Sequence, residues 1–216
     1  MAENIFKGKI KAKIIDVRFA VSGKLVVLNK KRGDLVKKGE LIASLDKKIL
    51  QTQLDKELAD FEKVRAEFEI FNLKKGEPTD DISKYLKKQM QADLDGSVKA
   101  VEIAKAEMDK TDLFSPVEGV IVDDSSLVPG VYITPASYSI KILDQSSFYF
   151  EIEIDQSNLP LFINSRSVTV KISGLEKVIS GQTKPILSQE NGKLVVEVEL
   201  QDKGGLLVGL EGEVAL

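Results

Sequence analysis

Ala20-Val21-Ser22-Gly23-Lys24-Leu25-Val26, followed by Gly33-Asp34-Leu35-Val36-Lys37-Lys38-Gly39-Glu40-Leu41-Ile42 and Leu45-Asp46, has a second version further along the chain. That version is Ser115-Pro116-Val117-Glu118-Gly119-Val120-Ile121-Val122, running on to Leu127-Val128-Pro129-Gly130-Val131-Tyr132-Ile133. Both are short apolar runs punctuated by Gly, the pattern of strands joined by tight turns. A long, charged stretch of different periodicity lies between them. Two half-sheets separated by a helical excursion describe one domain split by an insertion. Such a chain points to a structural adaptor more than to an enzyme.

The insertion, residues 47–111, reads as two helices. Leu54, Phe61 and Phe68 recur every seventh position, and Leu50, Val64 and Phe71 share a second seam that Glu57 interrupts. Lys75-Gly76-Glu77-Pro78-Thr79-Asp80-Asp81 supplies stop and turn signals, with Asp80 or Asp81 as N-cap. Leu94, Val101 and Met108 then continue in heptad register, and Gly96 is a flaw worth ~1 kcal/mol against Ala. Two arms with a short turn make an antiparallel hairpin, each arm reaching ~42 Å.

The flanks read as strands. Ile10, Ala12 and Ile14 alternate with lysines, and Leu25-Val26-Val27-Leu28 is a short buried-strand run. Val128-Pro129-Gly130-Val131 places Pro and Gly at the centre of a type II turn. Beyond residue 146, Phe148, Phe150, Ile152 and Ile154 alternate with polar residues, as do Val168, Val170 and Ile172. Asn191-Gly192 marks a hairpin. Short strands at this spacing predict a small antiparallel barrel. The expected layout is a sandwich from 12–46 plus 112–145, a hairpin over 47–111 and a barrel over 146–216. Residues 1–11 are left as an N-terminal strand or the remnant of a further region.

Composition excludes several functions. The net charge of -3 argues against nucleic acid as a partner. With no Cys there is neither a disulfide framework nor a thiolate metal site, and with no His the commonest general base and metal ligand are gone. No window holds the ~18 apolar residues of a membrane span, and Met1-Ala2-Glu3-Asn4 does not open a signal peptide. No phosphate loop or nucleophile constellation occurs. No cofactor, metal or catalytic residue is expected.

These motifs, in this order, resemble the periplasmic adaptor (membrane fusion protein, HlyD-like) family of efflux pumps and type I secretion systems, most closely the adaptors of macrolide ABC exporters and RND pumps. Val21-x-Gly23-x-Leu25 with Gly33-Asp34-x-Val36-x-x-Gly39-x-x-Ile42-x-x-Leu45-Asp46 is similar to the first lobe of their lipoyl-like domain. Thr111-Asp112-Leu113-Phe114-Ser115-Pro116-x-x-Gly119-x-Ile121 is similar to the return strand after their coiled-coil hairpin, and Leu207-Val208-Gly209-Leu210 resembles their closing barrel strand, with Val208 in place of Pro. The resemblance implies a mainly β fold: a lipoyl-like, barrel-sandwich hybrid domain split by an antiparallel coiled coil, then a small antiparallel barrel. It implies an adaptor subunit that assembles into a ring, often hexameric. Such a ring links a membrane transporter, ABC type favoured over RND type, to an outer-membrane channel or the exterior. It also implies an extracytoplasmic, membrane-anchored location. Two departures stand out. With Leu73 as the central Leu of the family's Arg, Leu and Ser tip pattern, Glu69 stands at the Arg place and Asp80 at the Ser place. Pro129 occupies the place of the Gln that lines the funnel of macrolide-exporter adaptors.

Three groups of residues carry this expectation. Gly23, Gly39, Gly119 and Gly130 let the half-lobes close on each other. Leu54, Phe61, Phe68, Leu94, Val101 and Met108 seal the hairpin. The tip, with Leu73, Lys74, Lys75, Gly76, Glu77, Asp80, Asp81 and Ser83, meets an outer partner. Lys30-Lys31-Arg32 with Lys37-Lys38 reads as a solvated loop face, and Asp123-Asp124 as a turn. An alternative is a lipoyl- or biotin-type carrier of a multienzyme complex, because Asp46-Lys47 sits where carriers present their Lys. A third is a cytosolic coiled-coil scaffold. The carrier reading needs a tight turn, whereas here a long insertion opens the chain at that point.

Overall fold

The computed structural model describes residues 5–75, 80–175, 177–190 and 193–215, and of residues 75, 177, 186–190 and 193 it describes the backbone alone. The first five strands are β1 (Ile5–Lys11), β2 (Ile14–Val17), β3 (Gly23–Leu28), β4 (Leu35–Val36) and β5 (Leu41–Leu45). Helices α1 (Lys48–Lys75) and α2 (Asp81–Asp109) form the insertion. Strands β6 (Asp112–Phe114), β7 (Gly119–Asp123), β8 (Tyr132–Ile133) and β9 (Ile140–Asp144) complete the split domain. β10 (Tyr149–Ile154), α3 (Leu159–Phe162), β11 (Ser167–Ile172), β12 (Lys177–Glu190), β13 (Lys193–Leu200) and β14 (Glu211–Ala215) follow.

The split domain is two four-stranded sheets, ordered β2-β9-β7-β4 and β6-β5-β3-β8. Each sheet takes two strands from either side of the insertion. Exchanging β2 with β6, β3 with β7, β4 with β8 and β5 with β9 turns one sheet order into the other, so the sequence repeat is an internal two-fold in space. Its mark is a pair of matching backbone clamps. Gly33 N donates to Ile121 O at 2.8 Å and Ile121 N to Asp34 O at 3.0 Å; Gly130 N donates to Leu25 O at 2.7 Å and Leu25 N to Val131 O at 2.8 Å. Gly33 and Gly130 hold φ of +94° and +101°, which side-chain-bearing residues rarely adopt. The shared core joins Leu25, Val36, Ile42 and Leu45 to Leu113, Ile121, Ile133 and Ile142.

Gly119 shows the closest approach. A Cβ there would lie 2.0 Å from the Leu143 carbonyl oxygen, while its own strand pairs with both β9 and β4. Gly23 faces the Leu45 side chain and pairs with Ile133. Gly39 N donates to Ser115 O at 2.7 Å, another bond between the halves. The Leu25–Leu28 run differs from the expected buried strand. Leu25 is buried, but a register shift between Leu25 and Val27 leaves Val26 and Val27 on the outside.

The barrel closes in the order β1-β10-β13-β12-β11-β14. It is therefore not made by residues 146–216 alone, because β1 fills the gap between β10 and β14. Without it both neighbours would expose unpaired edges. Ile10 N also donates to Leu210 O, and Gly209 N to Ile10 O, so the Leu207–Leu210 segment clips onto the same strand. Phe150, Ile152, Val170, Val196, Val198 and Val214 fill the interior. The short helix α3, which the strand alternation did not announce, brings the buried Phe162 edge-on to Phe6 at 5.2 Å. Two chain segments cross from sandwich to barrel and are latched together. Lys13 N donates to Ser147 Oγ at 2.7 Å, and Asp144 N to Lys13 O at 3.0 Å.

Two glycine substitutions separate these constraints. Gly119→Ala forces β7 off β9, with an expected loss on the order of 3 kcal/mol in a urea melt. Gly96→Ala, where nothing lies within 4 Å of the added methyl, is expected to raise stability by ~1 kcal/mol.

Candidate functional site: the helical hairpin and its mounting

The arms are 28 and 29 residues long, and they leave the sandwich from adjacent strands. At the root Leu45 N donates to Thr111 O at 2.9 Å, and Asp46 N to Lys24 O at 2.8 Å. Asp112 sits across the junction. Its carboxylate accepts a 2.6 Å bond from Ser44 Oγ and pairs with Lys47 Nζ at 3.2 Å. Ser44 and Thr111 are buried, and the Thr111 hydroxyl donates to Met108 O, closing the last turn of α2. One carboxylate on the first strand after α2 thus ties down both β5, through Ser44, and the residue just before α1, Lys47. Lys47 is accordingly a root residue facing Asp112 and is not the tip of a tight turn.

Along the seam Leu54 is buried, and Phe61, Phe68, Leu94, Val101 and Met108 are half-buried. Phe71 and Ala104 are buried as well and lie deeper than most of those six. The signal for Phe71 was present, since it continues the Leu50 and Val64 row. Two helices alone cannot cover each other, which is why most of the seam stays partly open.

At the far end, α2 is capped by Asp80. Its carboxylate accepts from Ser83 N at 2.9 Å and from Ser83 Oγ at 2.8 Å. The Ser83 amide first, and the Ser83 hydroxyl second, hold the Asp80 carboxyl below its ordinary value. Leu73, Ile82 and Tyr85 are exposed near the tip, Lys74 and Asp81 are exposed beside them, and the Asp81 carboxylate accepts from Lys84 Nζ at 3.0 Å. Of the other tip residues, Lys75 is described by its backbone alone, and Gly76 and Glu77 lie outside the described residues. Asp123 and Asp124 make turn bonds to Ser125 N and Ser126 N. In the basic loops Lys30 pairs with Glu40 at 2.8 Å. Among the described residues no group of three acidic side chains could hold a metal ion, and no helix is long and apolar enough to cross a membrane.

Residues 13–145, the sandwich with its hairpin, match the family described as RND MFP, barrel-sandwich hybrid domain. The chain belongs to this family. It is thus a membrane fusion protein, of the adaptor family of efflux systems. A curated relative, the uncharacterized protein YdhJ of Escherichia coli strain K12, is 23% identical over 212 residues, covering 93% of this chain and 72% of the relative. A chimera of MacA carrying the Pseudomonas aeruginosa MexA α-hairpin superposes with a TM-score of 0.75 at 20% identity, covering 99% of this chain and 80% of the chimera. The membrane fusion protein Spr0693 of Streptococcus pneumoniae gives 0.72 at 16% identity, covering 98% of this chain and 97% of that one. At these identities the likeness is one of fold, and this adaptor's contacts rest on its own residues.

The root and the cap have separate tests. Asp112→Ala leaves the buried Ser44 hydroxyl without its acceptor, and a loss of about 2 kcal/mol is expected in thermal unfolding. For Asp80 the folded value is depressed, so its contribution is present above the unfolded value and is lost as pH falls through the folded one. The protection factors of the Ser83 and Lys84 amides, which divide out the intrinsic slowing of exchange at lower pH, are expected to fall as pH drops below the ordinary aspartate value, 3.8. Asp80→Asn is expected to abolish that pH dependence.

Proposed function

We propose that this membrane fusion protein is the adaptor subunit of a multi-protein efflux or secretion system. It links a membrane transporter, an ABC type in preference to an RND type, to an outer channel or the exterior. It works by oligomeric assembly and contributes no chemistry of its own. It works outside the cytoplasm, held at the membrane. The observation that carries this reading is the mounting: both half-motifs interleave into one sandwich, and Asp112 fixes the two roots side by side. A hairpin held this way is a spacer, and its exposed apolar end near Leu73, Ile82 and Tyr85 is suited to meet another surface. The three proposed groups keep their roles: the glycines close the lobes, the heptad residues seal the arms, and the tip docks. The carrier reading is less well supported, because Lys47 faces Asp112 at the hairpin root.

Isolation of the tagged full-length protein from detergent-solubilised native membranes tests this. An integral membrane transporter is expected to co-purify, and replacing residues 74–82 by a Gly-Ser turn is expected to lose the outer partner while keeping the transporter. Co-purification of a soluble multienzyme complex, with a lipoyl or biotinyl mass on Lys47, overturns the proposal.

A further inference from the structure

Glu57 breaks the row that Leu50, Val64 and Phe71 make along α1. Its side chain stands at a seam position and is 19% exposed, against 65% for the neighbouring Lys56. A Leu in that place would add buried apolar area to the hairpin, so the carboxylate is not there for packing. Small residues of α2, Ala100 and Ala104, stand by the same gap. The outcome is a groove of about 320 Å3 in the root half of the hairpin, between the first turns of α1 and the last turns of α2. That volume lies in the range of small-molecule sites, ~300–1,000 Å3.

The lining has two kinds of surface. Leu50, Ala100, Ala104 and Ile103 are apolar, and Glu57 and Glu107 are acidic, with no cation lining the groove. Lys56 pairs with Oε1 of Glu57 at 3.2 Å, and Lys110 with Oε1 of Glu107. Gln53 Nε2 donates to that same Glu57 oxygen. Oε2 of each carboxylate has no hydrogen-bond donor among the described residues. These surfaces set the chemistry of an occupant. An anion is repelled by both carboxylates. A hard metal ion wants several oxygen ligands and has no use for an apolar floor. An uncharged apolar molecule leaves the carboxylates unmatched. An ammonium carrying an alkyl or aryl body matches both surfaces.

We infer that this groove binds a small amphiphilic organic cation, with its ammonium at the Glu57 and Glu107 carboxylates and its apolar body over Leu50, Ala100 and Ala104. The site goes beyond the adaptor reading and does not depend on it. An occupant that touches both arms stabilises the hairpin by mass action, so ligand concentration sets how firmly the arms hold together.

Octyltrimethylammonium below its micelle-forming concentration is the probe, titrated into the full chain by calorimetry. One-to-one binding is expected, at least tenfold tighter than that of octyl sulfate or 1-octanol. Glu57→Gln keeps the size of the side chain and is expected to weaken binding at least fivefold. Ala100→Leu fills the groove and is expected to abolish it. Glu57→Leu restores the seam, and is expected to melt at a higher temperature than the wild type and to bind no probe. Equal affinity for 1-octanol, or undiminished binding by Glu57→Gln, overturns the inference. So does a Glu57→Leu protein that melts lower, because the carboxylate then serves the hairpin's own stability. A wild type that binds no probe overturns it as well, and protection of the 100–104 amides that rises with protein concentration then gives the groove to a second copy. The adaptor reading is judged separately, by whether the transporter co-purifies.

Discussion

The structure depends on backbone bonds made between, and not within, the two halves of the sandwich. Leu25 and Ile121 each exchange N–H and C=O with the turn that the other half supplies, at Gly130–Val131 and Gly33–Asp34. Neither half can satisfy its own strands, because β4 and β8 are two residues long and pair only with the opposite half. A buried, unpaired N–H or C=O costs free energy on the scale of a lost hydrogen bond, so the halves fold together or not at all. Everything between them has to leave the sandwich as a closed excursion. The hairpin follows from that, and its antiparallel arms sit side by side at the root because Leu45 and Thr111 are hydrogen-bonded there.

The same device recurs in the barrel. β1 comes from the start of the chain and closes a ring of strands supplied by the far end. Sandwich and barrel are thus each stitched from distant segments, and the two connections crossing between them are latched at Lys13 and Ser147. Each joint is thereby held at two points of the chain. The hairpin is the contrasting part. Its seam has one partner face and stays half open.

Strand and helix types were legible locally. The alternation at Phe150, Ile152 and Ile154 and the heptads through Leu54 and Leu94 are short-range patterns, and the burial pattern of β10 follows its alternation. A cap at Asp80 or Asp81 was legible as well, since such a bond spans three residues, and the structure selects Asp80. The Gly repeat indicated that two halves existed. It did not indicate that they exchange strands, which depends on hydrogen bonds between residues far apart. The role of Asp112 was not legible, because its partners Ser44 and Lys47 lie across the whole insertion. Nor was the exposure of Val26 and Val27, which a register shift against β5 decides.

By itself the sequence determined most of the elements, the split of one domain by a hairpin, and the absence of Cys and His chemistry. Only the tertiary structure decided that β1 belongs to the barrel and that the sheets interleave as a two-fold. The physical reason is the range of the interaction. Periodicity and turn propensity act within one or two turns of chain and are written in neighbouring residues. Edge pairing, register and relative height are set by backbone groups that meet only once the chain has folded.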